Sequence, residues 1–473
     1  MASVKKELFS GVFFTALGKY SYVIINFLIT AILARLLTPT DFGIVAIAMV
    51  IINFFSMLSD MGIGPAVIQN KELKKRDLES IYSLTIYIGL FLSLLFFLLG
   101  PVFSKFYDNE QLLPIVQLFS ISIIFHCIDI VPHNLIIKEK RFSFIAYSNV
   151  IIQVICGGVS ILSACLGLGV YSLLVQPILS SILVFWVDIS QCRLRVSFIV
   201  HKGCIRKIFS YSLYQFLFSF INYFSRNLDK LVVGRVFGVS DLGYYEKSYR
   251  LMMLPVGNLS HVITPAIQPI FSEFQDNKDL LFQRSIRFMK LFVFLGFPIS
   301  AFLFFCSKEI ILISFGEQWY GAIPVFRILA LSVGFQMIFS PQGAFFQSAN
   351  AVKEMFYCGI ATAIFNVIAV VVGCILYKDI EILSWMIVLS YIIALFVTYY
   401  VLIKKVFCSS FISFLKVFKR PLELTFCLSI PMLYFNSLNI DLSIVFSFGI
   451  KCLLSLIVVG IYEYFTKAIS KIL

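Results

Sequence analysis

Between residues 226 and 250 two apolar runs carry Arg226, Asp229, Lys230, Glu246, Lys247 and Arg250, with Arg235 and Asp241 in the connection between them. Arg226 is three and four positions from Asp229 and Lys230, so one helix face would hold all three. Glu246 and Arg250 are also four apart. Cations outnumber anions in this set. Arg327 and Lys19 add two more cations within apolar runs. Arg and Lys are the usual partners of phosphate oxygens. The pattern therefore points to an anion-binding surface, with Tyr244, Tyr245 and Tyr249 placed to line a path for a sugar. Ion pairs that lock helices together are the plainer reading, but they leave the excess of cations unexplained.

A second set lies earlier. His126, Asp129 and His133 are spaced by three and four, again one helix face. A metal site has no fixed ligand geometry here to support it, whereas a protonatable relay suits His and Asp within a membrane span. Asp60 and Asp229 complete the residues that could couple movement to an ion or proton. Asp60 sits beside Gly62, Gly64 and Pro65, which also reads as a helix end with a bend.

These residues need elements to hold them, and the composition says what kind. The chain has 473 residues, 60% hydrophobic and only 13% charged, with a mean hydropathy of +0.95. About 20 apolar residues cross a bilayer as a helix. The sequence predicts about fourteen spans, near 12–34, 42–68, 80–100, 113–137, 147–167, 170–189, 209–233, 242–271, 286–306, 323–346, 356–376, 382–402, 421–437 and 441–463. Barrel strands are excluded, because those alternate over about 10 residues. Lys5 and Lys6 precede an apolar run longer than a signal segment, so the first span is expected to remain as a helix.

The net charge of +13 follows topology rather than nucleic acid. With the N-terminus inside, the outside loops hold only Arg35, Lys105, Arg235, Lys308 and Lys378, and the other 25 loop Lys and Arg fall inside. Both termini are then cytoplasmic. The eleven cysteines show neither disulfide nor metal spacing. No cofactor, metal or nucleic-acid partner is implied.

The chain repeats itself. Arg35, Asp41 and Gly43 return as Arg235, Asp241 and Gly243, and Pro65-Ala66 as Pro265-Ala266. Leu113-Pro114-Ile115-Val116 is echoed by Ile323-Pro324-Val325-Phe326. The expected plan is an N-terminal six-helix bundle (1–205), a C-terminal six-helix bundle (206–405) and two added helices (406–473). Six spans is an even number, so the repeat is parallel, a transporter pattern with the substrate path between the halves. Arg35, Asp41, Arg235 and Asp241 recur in both copies and read as architecture. Positions matching the charges of 226–250 are apolar or neutral in the first copy, so those charges read as substrate-directed. Pro255, Gly257, Pro265 and Pro269 interrupt the eighth span, suggesting breaks or bends there.

Ala34 to Ala46, ARLLTPTDFGIVA, resembles the opening motif of bacterial polysaccharide-unit flippases, as does Asp60 to Gln69, DMGIGPAVIQ. Leu228 to Pro255, LDKLVVGRVFGVSDLGYYEKSYRLMMLP, is similar to the Wzx-type O-antigen and colanic-acid exporter branch. The resemblance implies an all-α membrane fold of two six-helix bundles in a V around a central cavity, shared with multidrug/cation antiporters. It implies undecaprenyl-diphosphate-linked oligosaccharide as substrate, moved across the bacterial inner membrane by alternating access for O-antigen, capsule or exopolysaccharide assembly. It also implies association with membrane lipid, a glycan polymerase and a chain-length regulator. Arg226, Lys230, Lys247, Arg250, Arg327, Lys19 and Tyr245 are the expected diphosphate and glycan contacts. A multidrug or cation antiporter would need a net acidic site. A membrane polymerase or ligase would need a large outer loop. Neither feature is present in the sequence.

Overall fold

The computed structural model describes residues 2–60, 62–69, 73–192, 194–196, 220, 223–224, 227–272, 274, 277–438 and 442–466. Side chains are described within these except at 2–17, 69, 260–266, 268–270 and 272. Among the described residues there are helices and connecting turns but no strand. In hydrocarbon every backbone N–H and C=O must be satisfied within its own segment, and apolar runs of this length meet that demand as helices.

By its contacts the chain divides into two compact units, Met1–Gly243 and Tyr244–Leu473. The first holds α1 (Ala2–Leu36), α2 (Pro39–Asp60), α3 (Ile63–Gln69), α4 (Lys75–Tyr107), α5 (Leu112–Lys138), α6 (Phe142–Cys165), α7 (Ser172–Gln191) and α8 (227–236). Helix α5 is its hub, packed on α2, α3, α4 and α7, while α1 packs on α6. Turns of a few residues join α4 to α5 and α5 to α6, which makes these helices antiparallel neighbours.

Two features of this unit follow from the repeated motif. The Asp41 carboxylate accepts from the Thr38 amide at 2.9 Å and the Thr38 hydroxyl at 2.7 Å, capping the start of α2. Gly43 lies where a Cβ would stand 1.6 Å from the Val239 carbonyl oxygen, and one on Gly243 would stand 2.1 Å from the Pro39 oxygen. The repeat-related glycines thus let the first turns of α2 and α9 meet backbone to backbone, as small residues do between membrane helices. The helix end expected beside Asp60 is there: Gly62, at φ 75°, separates α2 from α3.

The second unit contains most of α9 (Val239–Ser272), then α10 (Lys278–Phe305), α11 (Ser307–Phe315), α12 (Ala322–Ala330), α13 (Val333–Phe339), α14 (Gln342–Ser348), α15 (Val352–Val370), α16 (Ile380–Val401), α17 (Phe411–Leu415), α18 (Lys419–Ser437) and α19 (Ile444–Thr466). Helix α9 runs unbroken past Pro255, Gly257, Pro265 and Pro269, so the breaks expected there do not end it. The break falls elsewhere. Helices α12 and α13–α14 are bent by 48°, with Ser332 donating to the Leu329 carbonyl at 2.7 Å and Gln336 donating to Ser332 at 2.8 Å. These side chains occupy polar groups at the irregular turn, which is how membrane helices tolerate a break. Pro114 and Pro324 are each the third residue of their helix, α5 and α12, as the echo between the two segments predicts.

Ten described helices, or eleven counting the bent pair as one span, are long and apolar enough to cross a membrane. The sequence expectation was fourteen. Of the other three, span 242–271 is helix α9 and span 421–437 is helix α18, both too polar to qualify by composition. Span 209–233 lies largely outside the described residues.

Candidate functional site

In the first unit the polar groups converge on one end of α5. Asp129 and His133 sit one turn apart, and α7 brings up Asp188, which is buried. His133 Nδ1 and Asp188 Oδ2 are 2.7 Å apart. The three residues offer ligand atoms within 4.8 Å of one another. Asp129 Oδ1 is buried with no hydrogen-bond partner among the described residues. Pro132, inside α5, removes one backbone donor, and Cys192 Sγ donates to its carbonyl at 3.6 Å.

Asp60 stands at the neighbouring end of α2 and accepts from the Gly64 amide at 3.0 Å, so it caps α3. Asn134, on α5, packs against Gly64 and donates to the Ile130 carbonyl at 2.7 Å. His126 is exposed on α5 and makes no hydrogen bond with a described residue. The face foreseen as His126, Asp129 and His133 is thus completed from another helix, by Asp188. Asp188 lies 55 positions from His133 on a different helix, so no spacing along one helix points to it.

The cations distribute differently. Arg226 lies outside the described residues. Lys230 is half-buried, and its amide donates to the buried Asp229 at 2.8 Å. Lys19 is half-buried on α1. On α9, Lys247 is buried with its ammonium 5.9 Å from the Phe315 ring centre, and Arg250 is exposed. Tyr245 is fully buried beside Tyr249, whose hydroxyl is 3.0 Å from that of Tyr391. Arg327 lines a separate cavity against α18 and α19, with Nε donating to Ser307 at 3.1 Å.

That cavity has a floor missed in the sequence. Lys451 is the buried residue of α19, and its ammonium lies 2.5 Å from Glu309 Oε1 and 3.0 Å from the Phe305 carbonyl. Ser447 donates to the same carboxylate oxygen at 2.8 Å. A lysine within a span is the signal that could have found it, since such a charge is costly unless paired.

The model of a family described as "Polysaccharide biosynthesis protein" matches residues 32–324. The chain belongs to this family. It is 24% identical to the teichuronic acid biosynthesis protein TuaB of Bacillus subtilis, covering 76% of this chain and 74% of that protein. It is 25% identical to the lipopolysaccharide biosynthesis protein WzxC of Escherichia coli, covering 91% and 87%. Its fold superposes on that of the lipid II flippase MurJ with a TM-score of 0.75, at 15% identity, covering 96% of this chain and 99% of that one. The family member described here is a multi-pass membrane protein, and it shares the MurJ fold along nearly its whole length.

Proposed function

We propose that the protein is a flippase carrying undecaprenyl-diphosphate-linked oligosaccharide units from the cytoplasmic to the outer leaflet of the bacterial inner membrane, for surface polysaccharide assembly. The observation that carries this reading is membership of a polysaccharide-biosynthesis family combined with the fold of a lipid II flippase. Both termini are cytoplasmic in this proposal, following the loop cations. The two repeat units are 1–205 and 206–405, with 406–473 added. The protein performs no covalent chemistry on the glycan; polymerisation falls to a separate polymerase with its chain-length regulator.

A diphosphate enters a membrane only against fixed cations. Arg226, Lys230, Lys247 and Arg250 are the proposed contacts, with Lys19 on α1 a further one. Arg250 is the exposed member on α9, so it meets the head group first. Tyr245 and Tyr249 lie one turn apart on the same helix, their ring centres 6.1 Å apart. The Asp129–His133–Asp188 cluster, with Asp60 and His126 nearby, is the proposed coupling element. A carboxylate–imidazole pair exchanges a proton with little movement, and in this proposal Asp129, whose buried Oδ1 has no hydrogen-bond partner among the described residues, shares it. Asp229 is a second candidate for coupling. A cation antiporter remains the weaker reading, because the four cations Arg226, Lys230, Lys247 and Arg250 outnumber Asp229 and Glu246.

Replacing Arg250 by Ala is expected to abolish surface glycan while the protein stays in the membrane at normal level. Surface labelling beside membrane immunoblotting checks this. Normal glycan display in the variant would remove the anion site from the account.

A further inference from the structure

The cavity between α10–α12 and the added helices α18–α19 belongs to neither the coupling cluster nor the α9 cations. It has a volume of about 510 Å³. Lys308 and Arg327 line it as exposed cations, and neither forms an ion pair with a described residue. Lys451 also lines it, but Glu309 neutralises that charge at the floor. Two positive charges therefore remain uncompensated in one concavity. Phe304 and Leu433 form an apolar wall beside them. Helices α18 and α19 carry this apolar surface outward through exposed side chains such as Phe446 and Leu453.

We propose that this cavity binds a lipid-borne phosphate group. Paired cations beside an apolar wall match a phosphate ester joined to hydrocarbon: Lys308 and Arg327 take the oxygens, and the chains follow the surface of α18 and α19. The Glu309–Lys451 pair is the positioning element. It anchors α19, the wall of the site, to the bundle through α11 and the end of α10. Arg327, first grouped with the α9 cations, is assigned here to a second anion site. The inference holds whether or not the chain transports glycolipids.

The full-length protein in phosphatidylcholine nanodiscs tests it. Adding phosphatidylglycerol to the bilayer is expected to raise the thermal midpoint by roughly 2–4 °C. The Lys308→Gln/Arg327→Gln variant is expected to lose that rise, and Lys308→Arg/Arg327→Lys to keep it. Inorganic diphosphate added to pure phosphatidylcholine discs forms the second arm. Stabilisation of the native chain by the bilayer lipid alone identifies a lipid head group. Stabilisation by diphosphate as well, lost in the Gln variant, shows that the bare phosphate chemistry suffices. No rise with either ligand, or an equal rise in the Gln variant, overturns the proposal.

Discussion

Two regions of the molecule, α5 with α7 and α9 to α19, meet the same problem, polar groups inside a membrane, with opposite chemistry. In the first, the intramembrane cluster is acid and imidazole: Asp129, His133 and Asp188, joined across α5 and α7. In the second, the side chains are mostly cations, some buried like Lys247 and Lys451, others exposed like Arg250 and Arg327. The first arrangement suits the handling of protons, the second the holding of anions. Yet the repeated sequence motif keeps its places: Gly43 and Gly243 meet at the first turns of α2 and α9, and Pro114 and Pro324 are each the third residue of their helix, α5 and α12. The echoed positions stand at helix starts and a close backbone contact, and the charges Arg226, Asp229, Lys230, Glu246, Lys247 and Arg250 have no echo in the first half of the sequence.

The sharpest way to break this contrast lies in the second unit. Lys451→Met leaves the Glu309 carboxylate buried without its counter-charge, and should cost about 3–5 kcal/mol. Adding Glu309→Leu should recover most of that loss, since the buried charge is then gone. Thermal unfolding in detergent measures both. In the first unit, His133→Ala takes one partner from the buried Asp188 and should cost about 1–3 kcal/mol by the same assay. If it costs as much as Lys451→Met, the two units do not differ in how firmly their charges are held.

The scaffold makes a comparable demand. Gly43→Ala would drive a methyl group into the Val239 carbonyl, and should destabilise by about 1–3 kcal/mol. Gly243→Ala should match it, because the contact is reciprocal. The smallest effect is expected at the α2 cap. Thr38→Ala removes a hydroxyl bonded to Asp41 and should cost about 1 kcal/mol.

Much of this frame was legible in the sequence because it rests on local signals. Apolar length predicted the helices, and the end of α2 lay among the turn-forming residues Gly62, Gly64 and Pro65. What escaped depends on long-range pairing. Lys451 and Glu309 are 142 positions apart, and His133 and Asp188 are 55 apart. No periodicity on one helix names a partner on another. The 48° bend before α13 escaped for a different reason. Its turn, at Leu331 and Ser332, contains neither Gly nor Pro, whereas the four such residues of α9 sit within a continuous helix.

The central claim is that the cations around α9 carry a lipid-linked diphosphate across the bilayer. Its most direct test is reconstitution of the pure protein in liposomes containing an undecaprenyl-diphosphate oligosaccharide, with leaflet exposure followed by a membrane-impermeant glycan reagent. The account predicts transfer by the native chain, and loss of at least tenfold in rate for Arg250→Ala with His133 and Asp188 intact. Equal transfer by native and Arg250→Ala protein, or none above protein-free liposomes, would contradict it.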